Sequence, residues 1–160
     1  MRKREYDTAL SLCKHLVEQN PENPDYRALY AESLVEAART AASILEKGDF
    51  FSLAKEQLHE ALELDGRNPL AMAVKGMFMV IRAEKNGTDP RVGIELLENA
   101  VQSSQLDDER KAKGYFGLSI GYFQTKQLEK AREACTMALE LNPRFFPAQQ
   151  LKSQLEKKGP

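Results

Sequence analysis

His15, His59, Cys13 and Cys135 are the residues of this sequence best suited to nucleophilic, acid–base or metal chemistry, and their spacing decides against all three. A zinc site groups its ligands in short motifs such as CxxC, and a disulfide framework needs several closely spaced cysteines. Here the two cysteines stand far apart, and each histidine stands alone among charged neighbours, as a surface residue does. A ring that titrates near neutrality is not by itself a site. The expectation is no metal and no cofactor. The carboxylates fall in helical i, i+4 pairs, Glu56/Glu60 and Glu129/Glu133, the pattern of a solvated face rather than of an acid–base dyad. No GxSxG, GxxxxGK(S/T) or GxGxxG occurs, so a serine nucleophile and a phosphate cradle both lack their backbone signature. Asn86-Gly87-Thr88 has the form of a glycosylation sequon, but Asn-Gly is also a common turn and reads as one here. The chain is not read as an enzyme.

The elements that position these residues are helical. Ala, Glu, Leu, Lys and Arg supply about half of the 160 residues, a bias typical of helix-dominated proteins. With 42% hydrophobic and 29% charged residues the chain is too apolar for intrinsic disorder and too interrupted for a membrane span. Basic and acidic residues nearly cancel, 23 against 24, and the basic opening Arg2-Lys3-Arg4 is too short to form a stripe. Nucleic-acid binding, which draws most of its affinity from neutralising phosphates, is therefore not expected. No apolar run reaches the length of a signal segment or a transmembrane helix. The compartment stays open, with the cytoplasm as the default.

Helical periodicity, broken at Gly, Pro, Asn and Asp, predicts eight helices at 3–19, 25–46, 50–64, 69–84, 91–104, 108–125, 128–141 and 146–157, and no strand. The second would be unusually long and would end at Lys47-Gly48-Asp49. Four of these helices share one pattern: a small residue, an apolar one four later, and a small or apolar one three after that. They are Ala9-Cys13-Leu16, Ala54-Leu58-Ala61, Gly93-Leu97-Ala100 and Ala131-Cys135-Ala138. Spacing of four and then three keeps all three on one face, and the small residues allow a neighbouring helix to approach closely. Both cysteines hold the same place in this pattern and read as apolar packing residues rather than redox centres.

The pattern resembles the tetratricopeptide repeat. Counting Ala112 as the first position, Tyr115, Leu118, Ser119 and Tyr122 fill the family's large, large, small and aromatic places on the first helix. Ala131, Cys135, Ala138 and Pro143 fill the small, large, small and proline places on the second. Met72, Gly76 and Met79 repeat the first-helix places in the segment that starts at Pro69. The resemblance implies an all-α, right-handed alpha-alpha solenoid of about eight antiparallel helices forming a single domain over 1–160. Its parts would be an unpaired second-type helix (3–21), a repeat with a long first helix (24–66), a repeat (69–105), the best-matching repeat (112–143) and a capping helix (144–158). The small anchor recurs after 45, 39 and 38 residues (Ala9, Ala54, Gly93, Ala131) instead of the family's ~34. The extra residues are expected in the second helix and around 82–88 and 102–111. The last helix sets Phe145, Phe146, Leu151 and Leu155 against Lys152, Glu156, Lys157 and Lys158, the make-up of a terminal cap.

In the family, first helices of successive repeats line a concave groove that grips a peptide or helix. The resemblance places Leu70, Ala73, Met77 and Val80, with Lys113, Phe116, Ile120 and Phe123, on that surface. A surface helix needs one apolar stripe, so a second one beside the packing stripe must meet something. Either it meets a partner's peptide or amphipathic helix, or the chain's own helices fill it. The charged clamp with which chaperone-binding members hold a carboxylate would fall on Phe116, Ile120 and Met77, which disfavours that ligand. A second reading is self-assembly into a homo-oligomer through Tyr6, Leu10 and Cys13 of the first helix, which no first-type helix precedes.

Overall fold

The computed structural model describes residues 2–157, with side chains from residue 5 onward. The Arg2-Lys3-Arg4 side chains and Lys158 of the expected cap lie outside the described residues. Eight helices are described and, among these residues, no strand. They are α1 Arg2–Gln19, α2 Pro24–Ala37, α3 Ile44–Leu64, α4 Pro69–Asn86, α5 Arg91–Val101, α6 Asp108–Gln124, α7 Leu128–Leu141 and α8 Phe146–Lys157. Contacts gather into two compact units, Met1–Val74 and Lys75–Pro160, divided inside α4. In the first, α1 packs on α2 and α2 on α3; in the second, α5 packs on α6, α6 on α7 and α7 on α8. Within each unit the short connectors fold successive helices back on one another, the packing of an all-α helical solenoid.

Side chains at the breaks set the helix ends. Asn23 Oδ1 accepts from the backbone N–H of Asp25 (2.9 Å) and Tyr26 (3.2 Å), and Pro24 follows at a position where its missing N–H costs nothing. Asn68 is buried and serves two helices: Oδ1 accepts from Ala71 N (2.9 Å) at the start of α4, and Nδ2 donates to Asp25 Oδ1 (2.6 Å) at the start of α2. Asp107 caps α6 by accepting from Arg110 N at 2.8 Å. The C-terminus of α6 ends in a left-handed residue, Lys126 (φ 61°), with Gln127 N donating back to Tyr122 O at 2.8 Å.

The expected long second helix is corrected: α2 stops at Ala37, and the long helix is α3, with Gly48 inside it. Residues 37–42 are good helix formers apart from Thr40, which hid the break. Arg39 N donates to Glu36 O and Thr40 N to Ala37 O, a tightened last turn, and the Thr40 hydroxyl also bonds Ala37 O. Ser43 then starts a new helix by accepting from Glu46 N (3.1 Å), while the Glu46 carboxylate reaches back to Ala42 N. The extra residues of this repeat therefore lie in the connector and the first turns of α3. Smaller corrections are that α4 runs on to Asn86 and α5 stops at Val101.

Small residues bring helices into backbone contact. A Cβ on Gly76 would lie 2.8 Å from Gly93 O, so α4 and α5 touch main chain to main chain. At α6·α7 the buried Ser119 hydroxyl donates to Ala131 O at 2.7 Å. Leu97, Leu118, Val80 and Cys135 centre the core of the second unit.

Candidate functional site

The residues expected to face a partner do not all do so. Leu70 and Ala73, in the first unit, are buried. Val80 is buried completely within the core cluster of the second unit, against Gly93 and Gly121, whose missing side chains admit it. Being buried, these three are not open to a partner, and at Val80 it is the absent side chains of Gly93 and Gly121 that make the room.

The α6 residues stand differently. Phe116, Ile120 and Phe123 follow at i, i+4 and i+7 and so share one side of the helix, while buried Gly114, Leu118 and Gly121 take the opposite side. All three are half-buried, resting on the core without being enclosed by it. Met77 joins them from α4, its methyl lying 2.9 Å from where a Cβ on Gly117 would stand. Phe145, ahead of α8, meets Phe116 edge to face with ring centroids 5.2 Å apart. That contact supports one end of the stripe, and its only trace in the sequence is the aromatic pair Phe145-Phe146. Lys113 lies at the N-terminal end of the same side, its Nζ 3.1 Å from Glu109.

Of the residues expected in self-association, Tyr6, Leu10 and Cys13 are half-buried. Cys13 is turned toward α2, where its Sγ accepts from the Ser33 hydroxyl at 3.2 Å. The more open apolar residues on α1 are Ala9 and Leu12, the latter 59% exposed and lining a shallow depression with Asp7, Thr8, Ser11 and His15. Ile44 and Leu45, which the sequence places in the last turn of its second helix, open α3 instead and are also exposed.

Groups with displaced pKa values owe the shift to contacts that also hold the fold. Burial, then a hydrogen bond to Glu98, pushes the Tyr122 phenol well above its usual range. Burial raises Tyr30 and the Cys135 thiol, which donates to Ala148 O at 3.3 Å. The Arg110 backbone N–H, more than its guanidinium, holds Asp107 below the usual carboxylate range. Arg27 joins helices, donating to Pro21 O (2.8 Å) and Gln57 Oε1 (3.1 Å) and pairing with Glu60. Glu129 pairs with Arg132. His15 and His59 are exposed, and among the described residues no His, Cys, Asp or Glu cluster could hold a metal ion. Among the same residues no helix is long and apolar enough to cross a membrane.

The sequence profile of the tetratricopeptide repeat matches residues 112–145, the α6–α7 hairpin and its following proline. Among solved structures, a thermophilic tetratricopeptide-repeat protein of Thermus thermophilus is similar in fold, with a TM-score of 0.66 and 17% identity. The alignment takes in 95% of this chain and 73% of that one. No curated protein matches the sequence.

Proposed function

We propose that this chain, which carries a tetratricopeptide repeat at residues 112–145 and the fold of that family, is an interaction scaffold that binds an amphipathic helix or peptide along α6. Proteins of this fold serve in general to hold other proteins. The observation that carries the finer reading is the stripe Phe116, Ile120 and Phe123, left half-exposed after α5 and α7 have taken their sides of the helix. Met77 extends it with an unbranched, polarizable side chain that adapts to different apolar shapes. A partner helix with apolar residues at i, i+3 or i+4, and i+7 would match a stripe of that spacing.

The test titrates labelled chain with amphipathic helical peptides selected for binding, and maps the amide shifts by NMR. Shifts should centre on α6 around Phe116, Ile120 and Phe123. Ile120→Glu, with melting unchanged, should weaken binding by about 2 kcal/mol, or ~30-fold. Shifts that centre on another helix, or affinity untouched by Ile120→Glu, refute the reading.

A further inference from the structure

We propose that Met77 is an oxidation site: a peroxide converts its thioether to the sulfoxide, and the partner is released from the α6 stripe. The inference rests on the amphipathic-helix reading of that stripe and adds its regulation. Met77 is half-buried, so a small oxidant reaches it in the folded chain. Its thioether end lies over Gly117, which is buried and has no side chain of its own. A Cβ built on Gly117 would stand 2.9 Å from Met77 Cε, 3.2 Å from Met77 Sδ and 2.9 Å from Leu97 Cδ1. From α4, Met77 thus fills the gap that Gly117 leaves in α6, between Phe116 and Ile120 in the sequence of the stripe.

With hydrogen peroxide as oxidant, a sulfur lone pair attacks one peroxide oxygen, and the S–O bond forms as the O–O bond breaks. The hydroxide released takes the proton left on the transferred oxygen and departs as water, so sulfur loses two electrons and the peroxide gains them. The contacts around the thioether are apolar, and the α6 amides beneath it are taken up in the helix ladder. A sulfoxide oxygen is a strong acceptor and finds no donor among those contacts, so the side chain turns out to water and leaves Gly117 bare. The stripe then carries a polar group beside Phe116 and Ile120, which a partner lying on it would have to bury. A bound partner, in turn, covers Met77 and slows its oxidation. The other methionines with described side chains do not share this place. Met137 is 39% exposed on α7, Met79 turns its Cβ toward Gly93 of α5, and Met72 is buried in the first unit.

The experiment treats the whole chain with increasing hydrogen peroxide and assigns each sulfoxide by mass spectrometry of its peptides. At each step it measures affinity for an amphipathic helical peptide selected for binding. Oxidation of exposed Met137 should leave affinity unchanged, and oxidation of Met77 should lower it about tenfold, or about 1.4 kcal/mol. Methionine sulfoxide reductase should restore it. Met77→Leu, whatever its starting affinity, should not change under the same treatment, and saturating peptide should slow oxidation of Met77 but not of Met137. Unchanged affinity with Met77 oxidised, an equal fall in Met77→Leu, or a Met77 sulfoxide that forms only once the chain unfolds overturns the proposal. So does a loss that the reductase fails to reverse, the mark of general damage. Amide shifts separate this from the reading it rests on. Peptide shifts centred on another helix refute the α6 site itself, whereas shifts on α6 with an affinity blind to Met77 oxidation refute the regulation alone.

Discussion

Replacing Gly76 with alanine and Gly48 with alanine is the same chemical change in two helix interiors, and the structure gives the two opposite signs. Alanine favours a helix over glycine by about 1 kcal/mol, and both positions should gain that much. At Gly48 the new methyl meets nothing within 4 Å, so the gain stands. At Gly76 it would lie 2.8 Å from Gly93 O, 2.8 Å from Leu97 Cγ and 3.2 Å from Leu96 Cβ. A backbone carbonyl and a Cβ cannot swing aside, so α4 and α5 must separate. Overpacking of that kind costs typically about 1–3 kcal/mol, and a contact with main chain belongs at the upper end. The net for Gly76→Ala is a loss of about 1–2 kcal/mol, and the two variants should differ by about 2–3 kcal/mol. Urea denaturation followed by circular dichroism measures it: the Gly76→Ala midpoint should fall and the Gly48→Ala midpoint should rise, at unchanged slope. A Gly76→Ala midpoint at or above native would refute the claim that α4 and α5 meet through their backbones. A fall in Gly48→Ala would refute the helical assignment of that segment, which also rests on the Ser43 cap.

Further outcomes follow from the helix ends and thiols. Lys126 holds a left-handed conformation that costs a non-glycine residue about 1–2 kcal/mol, so Lys126→Gly should raise stability by roughly 0.5–1 kcal/mol in the same urea assay. Asp107 has its pKa lowered in the folded state, so its charged form contributes stability above the unfolded value of about 3.9, and that contribution is lost as pH falls through the folded value. Asp107→Asn keeps a capping oxygen but not the charge; its deficit against native should be present at neutral pH and vanish in acid, and a deficit constant with pH would count against the charge. Cys135 is buried with its thiol pKa raised, whereas Cys13 is half-buried. Maleimide should therefore label Cys13 first and Cys135 only on unfolding, read by mass spectrometry of the native chain.

The sequence by itself determined the helices and their class, because both are written in local spacing. The small–apolar–small triplets placed the close-packing face of α3, α5 and α7 correctly, and Asn, Pro and Gly marked most ends. It went astray where a break carried no such residue. The stop after Ala37 depends on a Thr40 hydroxyl and on the Ser43 and Glu46 pair, which look in sequence like more helix. The candidate site was legible only as a periodicity. That Phe116, Ile120 and Phe123 share a side of α6 follows from 3.6 residues per turn. That Val80 belongs to the core instead was decided by glycines on neighbouring helices, whose absent side chains make room that no local pattern records. The pairing of Phe116 with Phe145 and of Tyr122 with Glu98 was likewise settled by residues distant in sequence. So too was the openness of Ala9, whose equivalent Ala131 is fully buried: the residue and its spacing are the same, and only a neighbouring helix makes the difference.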